Sequence, residues 1–306
     1  MKMNINERMR SFHLRVVKWA HSRIANHLNS IRKEEQLEAN RQWQRLFDGK
    51  NYFDYKMYDR IKIRLFKDNA LSRLIYNGFE SDELEFTRKY LRDGDIFLDI
   101  GCNIGLFSLT AAPVVGDMGK VICFEPSPIT FTRLLENISL NGFKNISPIN
   151  IGLSDKDAVL KFNISNNGYD AWNTFAPSVE LEKLQESINI EVSTLDKQMD
   201  YLEKEKISLV KIDVEGWEKF VLKGGERLFK DFDPVVMIEF TESNTFAAGY
   251  FVQELYDILI DWGYKWYRLE GQGFKPETKR IHYPYDNLIA IKDMDKAMRR
   301  MQGNFS

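Results

Sequence analysis

Cysteine is nearly missing from this chain, with two in 306 residues. Cys102 and Cys123 end neighbouring predicted strands without metal-ligand spacing, which argues against a disulfide scaffold or zinc finger and reads as buried free thiols in a reducing compartment. No run of 18 apolar residues occurs, and no apolar stretch leads to a small-residue cleavage site near the start. The expectation is a cytoplasmic protein without a membrane span. An excess of one charge is lacking too: 43 basic against 45 acidic residues leave a net charge of −2, so nothing global points to nucleic acid. Internal repeats and low-complexity tracts are likewise absent. What is present is 43% hydrophobic residues, enough to bury a full α/β core with an extension.

Two familiar nucleotide motifs are also missing. No Gly-Lys-Ser/Thr follows a glycine-rich turn, and no Gly-x-Gly-x-x-Gly opens a helix. In their place stands Ile96-Phe-Leu-Asp-Ile-Gly-Cys-Asn-Ile-Gly-Leu-Phe-Ser108. This is an apolar strand ending near Asp99, a turn through Gly101, Asn103 and Gly105, and a helix start. Glycine and asparagine permit the left-handed backbone of such a turn, and unpaired amides at a helix start favour an anion. About 20 residues on, Val121-Ile-Cys-Phe-Glu-Pro126 is a second strand ending in Glu125, the spacing at which a carboxylate holds ribose hydroxyls. The reading is a nucleoside cofactor. Asp99 can meet an ammonium, which a pyrophosphate ligand does not carry and S-adenosylmethionine does. A purely structural turn and an NAD site are the alternatives.

Four blocks make the chain resemble the FkbM family of S-adenosylmethionine-dependent methyltransferases. They are Leu98 to Ser108, Phe124-Glu-Pro-Ser-Pro128 running on to Asn137-Ile-Ser-Leu-Asn-Gly142, Thr194-Leu-Asp196, and Ile212-Asp-Val-Glu-Gly-Trp-Glu218 followed by Val221-Leu-Lys-Gly224. The likeness spans roughly Asn51 to Lys292. Cys102 stands where the family usually has Ala, and Trp217 where it usually has a small residue. The resemblance implies a Rossmann-like class I fold, a mostly parallel seven-stranded sheet with an antiparallel last strand. It also implies O-methylation of a sugar, glycan or small natural-product hydroxyl.

Residues 1–50 read as a basic helical extension. From Met1 to Lys33 eight basic residues face Glu7 alone, and Val16, Ala20, Ile24, Leu28 and Ile31 share a helical face. Such a helix packs on the catalytic domain, lies on an anionic membrane or joins two copies. His13, His21 and His27 share no ligand face. The expected catalytic domain covers 51–295 with an insert at 156–195, and 296–306 form a tail. Strands are predicted at 121–124, 147–151, 208–214 and 235–240, with helices at 106–115, 129–141, 217–223 and 251–262. The alternation argues for a parallel sheet with helices on both faces.

Ligands of such sheets bind beyond the carboxyl ends of the strands. Asp99, Gly101, Asn103 and Gly105 are therefore expected to hold the methionine half of the donor, Glu125 the ribose, and Leu153, Ser154 and Asp155 the adenine. Asp213 or Glu215, with Glu239 next, are candidates for the base that takes the acceptor's proton; Glu218 caps or pairs, and His282 is a further candidate. No metal is assigned, although clustered carboxylates can hold a cation. Tyr169, Trp172 and Phe175 in the insert suit stacking on a sugar ring or a small surface cluster. The competing functional class is a non-catalytic or NAD-type Rossmann-like binding protein that uses the basic N-terminal helix for membrane or partner contact.

Overall fold

The computed structural model describes residues 33, 37–58, 60–165, 173–176, 185–200, 207–271 and 273–302. The amphipathic face and histidines expected over residues 1–33, and Tyr169 and Trp172 of the insert, lie outside the described residues. The chain divides into two units, 1–53 and 54–306. In the first, a helical segment α1 over residues 37–45 carries Trp43, which meets Phe47 and Phe53 edge to face.

The remaining elements follow in order. β1 (Tyr52–Tyr58) and β2 (Ile61–Phe66) form a two-stranded sheet, followed by α2 (Ala70–Tyr76) and α3 (Ser81–Tyr90). The core alternates β3 (Ile96–Ile100), α4 (Leu106–Val115), β4 (Lys120–Phe124), α5 (Pro128–Asn141) and β5 (Ile146–Ile149). β6 (Gly152–Leu153), β7 (Ala158–Ser165) and β8 (Gln185–Ser193) form a separate three-stranded sheet before α6 (Leu195–Gln198). Then come β9 (Ile207–Ile212), α7 (Glu218–Gly224), α8 (Glu226–Asp231), β10 (Val235–Phe240), α9 (Glu242–Ala247) and α10 (Gln253–Asp261). The chain closes with β11 (Lys265–Glu270), β12 (Gly273–Pro276), β13 (Asp286–Ile291) and α11 (Met294–Gln302).

The main sheet has eight strands in the order β12-β11-β13-β10-β9-β3-β4-β5. Five neighbours, β5 to β10 in that order, run parallel, while β13 is antiparallel to both β10 and β11. The expected seven strands with an antiparallel last strand are all present. The eighth, β12, is a short edge strand antiparallel to β11; its Gly-Phe-Lys-Pro sequence has too little apolar pattern to announce a strand.

Local sequence sets these elements. All five residues of β3 are buried, as a central strand covered on both faces requires. Helix α5 begins with Ser127 capping the Thr130 amide at 3.3 Å and Pro128 in its first turn, and it stops at left-handed Gly142. Because β4 follows β3 on one side and β9 lies on its other side, the strand order reverses at β3/β9. The crevice at their carboxyl ends is the binding position of such sheets. At the opposite end, α11 is fastened by Arg300 to Asp95 and to the Tyr90 carbonyl, so the segment read as a tail from 296 begins inside a docked helix.

Candidate active site

Left-handed backbone at Gly101 (φ 80°), Asn103 (φ 49°) and Gly105 (φ 94°) carries the chain from β3 into α4. Asn103 supports its own conformation, since its Oδ1 accepts from the Ile104 amide at 2.9 Å. A Cβ at Gly101 would lie 1.9 Å from the Asp213 carbonyl oxygen, and one at Gly105 would lie 2.7 Å from the Leu134 side chain. The turn presses against the end of β9 and against α5, which leaves no room for a side chain at either glycine. Backbone bonds from Gly101 and Cys102 to the Phe124 carbonyl tie the turn to β4. Fully buried Asn137 donates to the Ile104 carbonyl at 2.9 Å and accepts from the Arg64 amide. The Asn137–Gly142 block therefore braces the turn.

Glu125 leaves the end of β4 and is 5% exposed. Its Oε2 accepts from the Asn103 amide at 3.1 Å and its Oε1 from the Ser127 amide at 2.8 Å. The two motifs that were separate in sequence are thus one hydrogen-bonded unit. A carboxylate oxygen accepts more than one hydrogen bond, so this anchoring is compatible with ribose hydroxyls. The residues expected at the adenine, the Leu153 backbone with Ser154 or Asp155, follow β5. Leu153 belongs to the hydrophobic core, Ser154 is buried and accepts from the Trp217 indole at 3.3 Å, and Asp155 is exposed. Asn150, at the end of β5, is the residue that reaches the Glu125 segment, donating to the Glu125 carbonyl at 2.7 Å.

Beside the donor turn lies a cluster of acids organised by one cation. Lys211 interrupts the apolar run of β9 and is paired in register with Asp99 of β3. Its Nζ lies 2.7 Å from Asp213 Oδ2 and 4.6 Å from the centre of the Phe107 ring. Burial alone would lower its proton affinity, but Asp213, Glu80 and Asp99 hold it well above the ordinary lysine value. The pull is reciprocal. Burial raises Asp213, yet Lys211 and the hydrogen bond with Glu239 together outweigh it and keep this carboxyl below its usual range. Glu239, 6% exposed, shares a hydrogen bond with Asp213 and is held well above the usual range by burial, then by Asp213 and Glu215. Burial, then Asp213 and Glu218, does the same to Glu215. Of these three carboxyls Asp213 alone is lowered, and its side chain is 23% exposed against 5% for Lys211.

Asp213, Glu215 and Glu239 each offer an oxygen within 4.8 Å of the others, a spacing a divalent cation accepts. The Lys211 ammonium already supplies a positive charge to this group. Asp99 is 1% exposed; its Oδ2 accepts from Ser108 Oγ at 2.6 Å, while its Oδ1 has no hydrogen-bond partner. Glu218 is a turn former: its Oε1 accepts from the Val214 and Gly216 amides and its Oε2 from Tyr250 OH. Burial pushes its carboxyl up to about 7. His282 is 77% exposed, with Nδ1 3.4 Å from Glu242. The Trp217 ring stacks on Phe220 with centroids 4.0 Å apart and approaches Phe175 of the insert at 5.5 Å. Thr174 Oγ1 donates to the Glu215 carbonyl at 2.6 Å, which fastens the insert to the acidic turn.

Residues 99–266 match the model of the methyltransferase FkbM domain. The chain belongs to the FkbM methyltransferase family. The fold is therefore the Rossmann-like class I methyltransferase fold, and S-adenosylmethionine is the cofactor with which this family works. Among relatives of this FkbM methyltransferase, the hexuronic acid methyltransferase AglP of Haloferax volcanii is 32% identical over 148 residues, 47% of this chain and 56% of that one. The 2-O-methyltransferase NoeI of Sinorhizobium fredii is 27% identical over 176 residues, 53% of this chain and 65% of that one. The match thus spans less than two thirds of either relative's length. The crystal structure of methyltransferase FkbM from Methylobacillus flagellatus KT superposes on 72% of this chain and 54% of its own, with 17% identity and a TM-score of 0.39.

The donor site fits such a cofactor chemically. A buried carboxylate that retains an unpartnered oxygen, Asp99, stands behind a turn whose amides are braced toward Glu125. Carboxyls outnumber the single lysine beside it. This acid-rich surrounding suits the ammonium and sulfonium of S-adenosylmethionine. Sequence reasoning missed Lys211, whose signal was a charge breaking an otherwise apolar strand. Among the described residues no helix is long and apolar enough to cross a membrane.

Proposed function

We propose that this chain transfers the methyl group of S-adenosylmethionine to a hydroxyl of a sugar or glycan. The observation that carries the reading is Asp213: an ionised, partly exposed carboxylate whose main chain touches the donor turn. The residues that would hold the donor are Asp99, Gly101, Asn103 and Gly105 at its methionine end and Glu125 at its ribose. Asn150, Leu153, Ser154 and Asp155 border the adenine side. When bound, S-adenosylmethionine supplies an electrophilic methyl on a sulfonium. With the donor bound, Asp213 would orient the acceptor hydroxyl and take its proton as the methyl's carbon–sulfur bond breaks and its carbon–oxygen bond forms. Holding the acceptor in line contributes about 7–11 kcal/mol toward the barrier. Glu239, raised by burial and hydrogen-bonded to Asp213, helps to fix it, and Glu215, also raised, is held by Asn244. The half-buried rings of Trp217 and Phe175 offer a platform for a sugar face beside the acidic turn.

Support for a sugar hydroxyl comes from relatives named for hexuronic acid methylation and for 2-O-methylation. The deciding experiment incubates the protein with S-adenosylmethionine carrying a labelled methyl group and with separated glycan, lipid and small-molecule pools. Label is expected in a glycan pool as a base-stable methyl ether. Label confined to a non-sugar pool would overturn the acceptor assignment, and no label with an Asp213→Asn-sensitive control absent would overturn the activity.

A further inference from the structure

Glu80 precedes α3 and lies outside the segment matched by the family model. It is the non-glycine N-cap of that helix, in a left-handed backbone (φ 51°, ψ 38°), and its side chain makes no capping bond. The conformation instead accompanies a side chain directed to the far edge of the sheet. Its Oε1 accepts from Tyr285 OH at 3.1 Å and from Asn287 Nδ2 at 2.9 Å. Asn287 lies opposite Glu239 in the β10/β13 register. Both bonds thus end on one oxygen and leave Oε2 available. Lys211 and Asp213 act on the Glu80 carboxyl electrostatically, and Lys211 feels Asp213, Glu80 and Asp99 together. The strand registers carry this edge from β13 to the donor turn: Asn287 stands opposite Glu239, Ile238 beside Ile212, and Lys211 beside Asp99, so Glu80, the acid cluster and the turn share the carboxyl ends of adjoining strands.

The charge balance of this pocket is unequal. Glu80, Asp99 and Asp213 share Lys211 as their cation, burial still raises the Glu80 and Asp99 carboxyls above the usual range, and Asp99 is almost wholly buried with an oxygen that lacks any hydrogen-bond partner. Buried carboxylates require a cation or a donor, and Lys211 spends its short bond on Asp213. The site is short of one more positively charged hydrogen-bond donor. An ammonium has three N–H bonds and matches that deficit; a ribose or an adenine does not.

We propose that Glu80 is a donor-binding residue that accepts a hydrogen bond from the ammonium of the methionine end of S-adenosylmethionine. Tyr285 and Asn287 orient it. The inference rests on the reading of the chain as an S-adenosylmethionine-dependent enzyme, and it assigns the amino-acid end of the ligand to a segment upstream of the family's motifs.

Calorimetry with two ligands tests it. S-adenosylhomocysteine carries the ammonium and carboxylate; methylthioadenosine keeps the nucleoside and sulfur but lacks both. Glu80→Gln is expected to weaken S-adenosylhomocysteine binding by about tenfold or more, the weight of a charge-assisted hydrogen bond, and to leave methylthioadenosine binding unchanged. Glu80→Asp, which keeps the charge on a shorter stem, is expected to give a smaller loss with the same selectivity, and it serves if the Gln variant does not fold. Equal losses for both ligands, or none for either, would overturn the proposal while the donor reading stands. Failure of the unmodified protein to bind S-adenosylhomocysteine would overturn both.

Discussion

Replacing Lys211 by Met tests the charge arrangement at the centre of the site. The side chain is 5% exposed and its Nζ lies 2.7 Å from Asp213. At an effective dielectric of about 20, one such contact has a gross attraction of about 6 kcal/mol. Desolvation of the two ions offsets much of that, and removing one partner of a buried pair costs about 3–5 kcal/mol because the other charge is stranded. Asp213 is partly exposed, which places the loss at the lower end, about 3 kcal/mol. For a domain of this size that corresponds to a fall of about 6–12 °C in Tm. The pH dependence is more diagnostic than the size. With Lys211 present, Asp213 has a lowered folded-state value, so its contribution holds above the ordinary carboxylate range and is lost as pH falls through the lowered value. In Lys211→Met that lowering disappears, burial raises the carboxyl, and the variant takes up a proton on mild acidification. Urea denaturation at pH about 7 and about 4.5 should therefore show the gap between variant and parent narrowing in acid. A loss under about 1 kcal/mol at neutral pH, or an equal loss at both values, would refute this electrostatic account.

Four further outcomes follow from the same geometry. Glu125→Ala removes the acceptor of both the Asn103 and Ser127 amides and should weaken S-adenosylhomocysteine binding by about tenfold or more in calorimetry; unchanged affinity would separate Glu125 from the ribose. The acid limb of kcat/KM should lie below the ordinary carboxylate range if the lowered Asp213 is the base, because activity falls as the base takes up its proton. A limb near or above neutrality would transfer the role to Glu215 or Glu239, both of which are raised. Gly101→Ala should fail to give soluble folded protein, since its Cβ would meet the Asp213 carbonyl at 1.9 Å. Gly142→Ala, with open space around it, should cost only about 1 kcal/mol in thermal denaturation. Exhaustive dialysis against a chelator should leave methyl transfer unchanged, because Lys211 already provides the positive charge at Asp213; loss of activity restored by a divalent cation would show that the three carboxyls bind metal.

What the sequence discloses about this fold depends on the range of the interaction that decides each feature. β3 and β10 are legible because every residue in them is buried and apolar runs say so. Helix α5 is legible because Ser127, Pro128 and Gly142 carry its ends. Short helices such as α9, which has no side-chain cap, leave no local pattern to read. The same division runs through the site. Gly101 and Asn103 announce a left-handed turn, a local property, but Gly101 is required because the Asp213 carbonyl abuts it, and that neighbour comes from another strand. Leu153 follows β5, and its pairing with Ser193 in the smaller sheet, which comes from a distant segment, is what buries its side chain. Glu80 is the extreme case: its partners Tyr285 and Asn287 stand 205 and 207 residues along the chain, and an acid ahead of a helix resembles an ordinary helix start. Lys211 lies between these cases. A lysine inside an apolar strand violates the burial pattern, and a buried ammonium must have carboxylates around it, so its presence alone implies acidic neighbours on adjacent strands. The strand order then identifies Asp99 beside it in register. A charged residue that breaks an otherwise consistent strand is therefore the point at which sequence best locates a functional site, because the fold can tolerate it only by assembling the partners that the chemistry also uses.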